Sequence, residues 1–239
     1  MKQISLEIGD ISVDVTFKKT KNLNLRVYPP FGVVRISAPK RMSINTIRDF
    51  VVSRQDWIRK KQHIVRSLPK ALPKRYVENE RHFVWGESCS LKIVEEVAAP
   101  QVNKEGNVLL LQVRPNTDQE RRQSIIEAWY RHQMKSILPA MIKKWEAVMD
   151  VHVDRFFVRK MKTRWGSCSY TKGTIRLNSE LAKKPVECLE YVLVHELVHF
   201  LEPSHNARFK GLMDHFMPNW RDHQETLNHF PMEHREGTH

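Results

Sequence analysis

The stretch VHELVHFLEPSH, residues 194–205, places three histidines and a glutamate inside an otherwise apolar run. His195 and His199 are four residues apart, so on a helix both side chains lie on one face, about one turn from each other. Two imidazoles in that position can bind one metal ion. The spacing His-Glu-x-x-His is typical of zinc hydrolases, in which the glutamate is the general base and not a ligand. We therefore predict that Glu196 has this role.

A catalytic zinc site needs three protein ligands and one open position for water, and His205 is the natural third ligand. Pro203 disfavours helical backbone at the residue before it, so the helix is expected to end near Glu202. The chain then turns and brings His205 back towards the metal. We predict Zn²⁺ at this site, where Co²⁺, Ni²⁺ or Mn²⁺ could replace it.

The rest of the chain predicts an α+β protein. Apolar and polar residues alternate along much of residues 1–40, which is typical of half-buried strands. Residues 43–65 have helical spacing, with Ser43 as the N-cap and Trp57 on the apolar side, and further strands follow. No internal repeat is visible. We place an N-terminal β-rich region with one helix at residues 1–116 and a second domain, which carries the metal site, at residues 117–239.

Within the second domain, a long helix is expected to begin at Thr117 or Asp118. Its predicted apolar side consists of Ile125, Trp129, Ile137, Met141, Trp145 and Val148. Pro139 is expected to kink or split this helix. Residues 173–178 are a strand that is either the sheet edge beside the metal helix or an ordinary interior strand. Pro185 is well placed to open the metal helix, and Ser204 is the expected cap of the next one.

Composition limits the partners and the compartment. The 239 residues carry a formal net charge of +13, which favours polyanions such as nucleotides or nucleic acid, or else indicates a solvated basic surface. No apolar run is long enough to span a membrane, and the N-terminus has no secretory signal pattern. Three sparse cysteines, Cys89, Cys168 and Cys188, argue against a disulfide framework. We therefore predict a cytoplasmic protein with no membrane association.

Several motifs then occur in a characteristic order: TRWGSCS at residues 163–169, TIRLNSELAKKP at 174–185, EYVLVHELVHFLEPSHNARF at 190–209 and MPNWRDHQETLN at 217–228. In this order they resemble the YgjP-like metallopeptidase family, a set of predicted metal-dependent hydrolases similar to zincin peptidases and to SprT-like proteases. The segment LNLRVYPPFGVVRISAP, residues 23–39, resembles the opening hairpin of that family. The resemblance therefore spans most of the chain.

The resemblance implies a zincin-like C-terminal part in which His195, His199 and His205 are the metal ligands and Glu196 is the base. Glu202 stands where metzincins have a turn glycine, so the chain is not placed in that clan. A glutamate from a later helix, such as Glu225, is the third ligand of the gluzincin alternative. The family match favours His205.

These observations predict a zinc-dependent metallohydrolase, a metallopeptidase that cleaves peptides or proteins with a metal-bound water activated by Glu196. Two alternatives stay open. The same site could hydrolyse a nucleotide phosphoanhydride, as a nucleoside triphosphate pyrophosphatase does, or the zinc could be structural in a nucleic-acid-associated module. A structural zinc would have a fourth protein ligand, whereas a nucleotide hydrolase would have a compact pocket lined by Arg and Lys.

Other residues have both a functional and a structural interpretation. Arg164 could stabilise an oxyanion or bind a carboxylate, and Asn178 could reach the site or cap a turn. His215 and His223 could hydrogen-bond a ligand or be ordinary histidines.

In the TRWGSCS motif, Gly166 is interpreted as serving backbone geometry and Trp165 as core. A nucleophilic role for Cys168 is disfavoured because the histidines that would activate it are assigned to the metal.

Overall fold

The computed structural model describes residues 3–28, 31–67 and 74–229 of the chain. Helices and strands both contribute, with strands concentrated in the first half, which confirms the predicted α+β class. The chain divides into two compact units, Met1–Leu72 and Pro73–His239, and each unit has its own hydrophobic core. In the described part of the chain, no helix is long and apolar enough to cross a membrane.

The first unit contains a four-stranded sheet. Strands β1 (Gln3–Ile8), β2 (Ile11–Lys18), β3 (Asn24–Tyr28) and β4 (Val33–Pro39) lie in the order β1-β2-β4-β3, and the central pair β2 and β4 is parallel. One face of the sheet is buried through Leu6, Ile8, Ile11, Val13, Val15, Phe17, Val34, Ile36 and Ala38. This burial of every second residue agrees with the alternating pattern that predicts the strands.

Two helices follow this sheet, where the sequence predicts one. Helix α1 (Ile44–Val52) begins after Ser43, whose side chain accepts a hydrogen bond from the backbone N–H of Thr46 at 3.1 Å, as expected of an N-cap. A short turn separates it from α2 (Gln55–Ser67). Because of this break, each helix turns its own apolar side chains into the core: Ile47 and Val51 of α1 and Ile58 of α2 are buried. Trp57, which the sequence places on the apolar side, is 41% exposed and is not part of the core.

The second unit opens with another four-stranded sheet, built from β5 (Arg81–Val84), β6 (Glu87–Glu95), β7 (Gln101–Glu105) and β8 (Val108–Val113). The order is β5-β6-β8-β7 with a parallel central pair, so its connectivity repeats that of the first sheet. This repeat of strand order is not visible in the amino-acid sequence. The reason is physical: the two sheets share a burial period and a strand order, and neither of these requires the same residues.

The long helix α3 (Gln119–Met149) packs against β7 and β8 of this sheet. Its buried residues are Ile126, Tyr130, Met134, Leu138, Ile142, Trp145 and Met149. The predicted apolar side lies mostly one position away from this face, and Val148 is exposed. Because β5–β8 and α3 share one core, the compact division falls at Leu72, whereas the sequence places a boundary at residue 116.

Helix α3 continues through Pro139 without a break. Pro139 itself is exposed, but Leu138 and Ile142 on either side of it are buried in the core. Burial of the side chains before and after the proline offsets the loss of a single backbone hydrogen bond. The expected split of the helix is therefore wrong.

A three-stranded sheet follows, with β9 (Arg155–Arg159), β10 (Gly166–Ser169) and β11 (Thr174–Asn178) in the order β10-β11-β9. Strand β11 is interior, antiparallel to β10 and parallel to β9. Of the two interpretations of residues 173–178, the interior strand is therefore correct, and β10 occupies an edge. A 3-10 helix, Ser179–Lys183, leads from β11 towards the metal helix.

Three helices complete the second unit: α4 (Val186–Leu201), α5 (Ala207–Phe216) and α6 (Trp220–His229). Helix α4 carries the His-Glu-x-x-His residues, contacts α3, α5, α6, β10 and β11, and is buried over much of its circumference. Pro185 is its N-cap residue and Glu202 is its C-cap residue, which agrees with the predicted end near Glu202. The cap of α5 is Asn206, not Ser204, because the Asn206 side chain accepts a hydrogen bond from the N–H of Phe209 at 3.0 Å.

Candidate metal centre

The structure brings the three histidines of the opening stretch together. Side-chain nitrogen atoms of His195, His199 and His205 all lie within 4.8 Å of one another. His195 and His199 come from successive turns of α4, and His205 comes from the segment between α4 and α5. The Nε2 atoms of His195 and His205 are 2.9 Å apart. Two rings on a rigid helix and one on the following turn thus converge on one point.

Local hydrogen bonds fix the turn that returns His205. The backbone of Glu202 leaves the helical region, with φ −147° and ψ 105°. Its carboxylate accepts hydrogen bonds from the N–H and the hydroxyl of Ser204, at 3.2 and 2.9 Å. The carbonyl oxygen of Glu202 lies 3.1 Å from Nδ1 of His199. The turn therefore orients the His199 ring as well as leading the chain to His205.

A single aromatic ring supports all three imidazoles. Phe209, on the first turn of α5, is 3% exposed, and its ring centroid lies 4.9 Å from His195, 4.7 Å from His199 and 4.7 Å from His205. Sequence reasoning missed this residue. Its available signal was its position at the start of the helix that directly follows His205.

Burial favours the neutral form of His195 and His199, the form that can bind a cation. Desolvation, followed by the neighbouring His199 and His205, lowers the pKa of His195 to about 3. Desolvation also lowers the pKa of His199, although the Glu202 carbonyl opposes this shift. A metal ligand must offer an unprotonated ring nitrogen, so this donor set fits a metal ion. Three imidazoles are a donor set that zinc accepts.

Glu196 lies beside this cluster and is 6% exposed. Burial raises the pKa of its carboxyl to about 7, while the Cys168 thiol and the charge of Arg164 act in the opposite direction. Arg164 itself is exposed. The carboxyl is packed against Gly166 of β10, since a Cβ atom built on that glycine would meet Glu196 Oε1 at 2.6 Å. A carboxyl with a pKa near neutrality can both accept and release a proton.

Tyr191 is a further residue at this site that sequence reasoning missed. It precedes His195 by one turn of α4, and the two rings meet edge to face at 6.0 Å. Helix α6 fixes the tyrosine: the Trp220 ring stacks on it at 6.4 Å, and Gln224 Nε2 donates a hydrogen bond to its hydroxyl at 3.2 Å. Two residues of the MPNWRDHQETLN motif, Trp220 and Gln224, therefore hold α4 through its Tyr191 side chain.

The structure places the remaining candidates outside the three-histidine cluster. His215 is exposed on α5 and its ring contacts Phe216, and His223 lies on α6. Glu225, the alternative third ligand, is exposed and does not belong to the cluster. Asn178 is fully buried and has a structural role, because its amide holds the backbone of Met161 and Arg164.

Fold and site together define the class of the molecule. A buried helix that presents two imidazoles, a third imidazole on the following turn and a buried carboxyl beside them form the arrangement of a metal-dependent hydrolase. The family model of the YgjP-like metallopeptidase domain matches residues 21–230. The chain therefore belongs to the YgjP-like metallopeptidase family, as the motifs indicate.

Two solved structures are also similar to part of the chain. The metallopeptidase zymogen of Pyrococcus abyssi abylysin is 18% identical over 37% of this chain and 90% of that chain, with a TM-score of 0.35. The metallopeptidase zymogen of Methanocaldococcus jannaschii jannalysin is 21% identical over 39% of this chain and 92% of that chain, with a TM-score of 0.32. No curated protein matches the sequence.

Proposed function

We propose that this chain is a zinc-dependent peptidase in which His195, His199 and His205 hold the metal and Glu196 is the general base. The observation that carries the proposal is the convergence of two imidazoles of α4 and a third from the following turn, with the buried carboxyl of Glu196 on the same helix α4. Zinc bound there would supply a Lewis acid that lowers the pKa of a water molecule and polarises the substrate carbonyl.

Glu196 performs the proton transfers in this proposal. Its carboxylate takes a proton from the attacking water, and the resulting carboxylic acid donates that proton to the leaving amine. Burial supports both steps, because it raises the pKa of the carboxyl to about 7, close to the pH at which it must act. Packing against Gly166 limits the positions that the carboxyl can adopt.

We place the peptide substrate along the outer edge of β10. This strand pairs with β11 on one side only, so the backbone groups of its other edge are not used within the sheet. An extended peptide can add to such an edge by main-chain hydrogen bonds.

The three cysteines are free thiols, which supports the proposed cytoplasmic location because thiols persist in a reducing compartment.

The two alternatives serve as outcomes of the test. A compact pocket lined by Arg and Lys at the metal centre would favour the nucleotide hydrolase. A charged groove lined by Asp10, Arg59, Gln62, His63 and Arg66 lies in the first unit and includes no residue of the proposed site. A structural zinc would need a fourth protein ligand, and the cluster found among the described His, Cys, Asp and Glu residues has three members.

The test combines metal analysis with two classes of substrate. Wild type and Glu196→Gln are loaded with zinc, and bound metal is measured by plasma mass spectrometry. Each protein is then incubated with fluorescently labelled unfolded casein and, separately, with a mixture of nucleoside triphosphates. We expect both proteins to hold about one zinc per chain. Only wild type should cleave casein, with a loss of about 100-fold or more in the variant, because general-base catalysis contributes that much.

Two control variants make the result specific. Glu187→Gln removes an exposed carboxylate from the same helix and should leave cleavage unchanged. His199→Ala should lose the metal together with the activity. Equal cleavage by wild type and Glu196→Gln would contradict the assigned base. Glu196-dependent release of pyrophosphate or phosphate without casein cleavage would instead establish the nucleotide hydrolase.

A further inference from the structure

Strand β10 presents two residues of the TRWGSCS motif to the metal helix. Gly166 and Cys168 pair with Leu177 and Ile175 of β11, which are both fully buried. Successive residues of a strand alternate between its two faces, so Gly166 and Cys168 share the buried face of the sheet. Helix α4 packs on this strand. Ser167 therefore belongs to the opposite face.

Gly166 is required for the space it leaves, which differs from the role in backbone geometry that the sequence suggests. Unlike the turn glycines, it is not among the residues with positive φ. A Cβ atom at this position would lie 2.6 Å from Glu196 Oε1, 2.9 Å from Glu196 Cγ and 2.9 Å from Val192 Cγ1. All three distances are shorter than real contacts of a Cβ atom. Any larger residue would displace the Glu196 side chain.

Cys168 is the polar side chain on the same face of β10 as Gly166. Its thiol lies near enough to Glu196 for the carboxyl to raise the pKa of the thiol and for the thiol to lower the pKa of the carboxyl. Desolvation, followed by the charge of Glu196, raises the pKa of the thiol to about 12, so the thiol keeps its proton at neutral pH. A protonated thiol is a weak donor, and a buried carboxylate needs a donor. A position beside Glu196 would give Cys168 a role at the site that does not require it to be a nucleophile.

We propose that Gly166 and Cys168 are positioning residues for the general base, with Gly166 providing the space for the Glu196 carboxyl and Cys168 donating the hydrogen bond that orients it. This inference rests on the proposed function, because it assigns a role to groups that act through Glu196. Its structural basis is the packing of the edge strand β10 against α4.

The kinetic test compares Cys168→Ser, Cys168→Ala, Gly166→Ala and the control Ser167→Ala, all in the full zinc-loaded chain with labelled casein. Serine keeps a donor, whereas alanine removes it. We expect Cys168→Ala to lower kcat about 10-fold with KM and zinc content unchanged, and Cys168→Ser to stay within about 3-fold of wild type. Gly166→Ala should lower kcat by about 100-fold because it displaces the base. Ser167→Ala should match wild type.

If Cys168 serves only packing, Cys168→Ala and Cys168→Ser should rank in the opposite order. Alanine is then tolerated better than serine, because a hydroxyl in an apolar contact is costly, and the loss is in melting temperature and not in kcat. That order, or equal kcat values for the two variants, would overturn the proposal.

A second measurement does not depend on turnover. Iodoacetamide alkylation of Cys168 is followed by mass spectrometry in wild type and Glu196→Gln at pH 8, with the buried Cys89 and Cys188 as internal references. Removal of the neighbouring charge should speed alkylation of Cys168 about 10-fold, because a thiolate is easier to form. Equal rates would contradict the contact even if the enzyme is active. Faster alkylation in a protein that cleaves nothing would support the contact while refuting the proposed peptidase.

Discussion

At the scale of single residues, the candidate site is a small group of ionisable side chains that the core has desolvated. Helix α4 buries Glu196 among apolar neighbours, and the same burial keeps His195 neutral. Both changes suit a metal-dependent hydrolase, since the histidine must offer a lone pair and the glutamate must exchange a proton. Neither change favours stability, because burial of an ionisable group has a free-energy cost.

This cost predicts a pH-dependent stability for the metal-free protein. The folded pKa of Glu196, about 7, lies above its ordinary value of 4.5, so the folded state binds more protons than the unfolded state between these values. The contribution of Glu196 to the unfolding free energy should therefore fall by up to about 3 kcal/mol as the pH rises from about 4.5 through 7. The lowered pKa of His195 acts in the opposite direction in both proteins, so the difference between wild type and Glu196→Gln isolates the effect of Glu196. In urea unfolding at pH 8, metal-free Glu196→Gln should be more stable than wild type.

The two proteins should be nearly equal in stability at pH 4.5, where the wild-type carboxyl is protonated in the folded state and about half protonated in the unfolded state. Glu187→Gln, which removes an exposed charge from the same helix, is the matched control and should follow wild type at both pH values. Parallel pH profiles for wild type and Glu196→Gln would show that burial does not perturb this carboxyl.

At the scale of secondary structure elements, Asn178 connects the third sheet to the site. Its side-chain oxygen accepts hydrogen bonds from the N–H groups of Met161 and Glu180, each at 3.2 Å. Its amide nitrogen donates to the carbonyls of Met161 and Arg164, each at 2.9 Å. The buried Asn178 side chain therefore caps the 3-10 helix after β11 and fixes the backbone of the segment from Met161 to Arg164 that leads into β10.

We expect Asn178→Asp to be strongly destabilising, although it keeps the shape of the side chain. The substitution replaces the two N–H donors that bind Met161 and Arg164 with an acceptor, which leaves buried carbonyls facing a carboxylate. Loss of such buried partners costs about 3 kcal/mol. Urea unfolding measures this loss, with the exposed Asn103→Asp on β7 as the control. A change below about 0.5 kcal/mol would exclude the clamping role.

At the scale of the whole molecule, the chain consists of two units with separate cores. The first core gathers β1–β4 with α1 and α2, and the second gathers the remaining sheets and helices. Every residue of the proposed site belongs to the second unit. Positive charge is distributed unevenly between them. Residues 1–72 hold 15 of the 40 Lys and Arg but 5 of the 27 Asp and Glu, which gives +10 of the net +13.

Separate cores predict that the site does not need the first unit to form. A chain that begins at residue 73 should fold, bind about one zinc ion and unfold cooperatively, because a unit with its own core can fold alone. Circular dichroism, urea unfolding and metal analysis measure these properties against the full chain. His199→Ala in the shortened chain is the control for specific metal binding. A shortened chain that is soluble but unfolded would show that the two cores depend on each other.

Local spacing by itself determined the three-histidine cluster of the proposed metal site. The interval between His195 and His199, the proline after Glu202 and the third histidine were enough to predict a helix, its end and a convergent ligand set, because α-helical geometry is fixed by the backbone. The alternating strands and the cap at Ser43 are equally local and were predicted correctly. Family membership followed from the order of the motifs.

Only the tertiary structure decided the contacts between segments that are distant in the chain. It showed that α3 runs through Pro139, that β11 is interior whereas β10 lies at an edge of the sheet, and that Gly166 packs against the Glu196 carboxyl. It also showed the repeated sheet and placed the division of the chain at Leu72. Hydrophobic burial and close packing set these features, and both depend on which surfaces meet and not on local spacing.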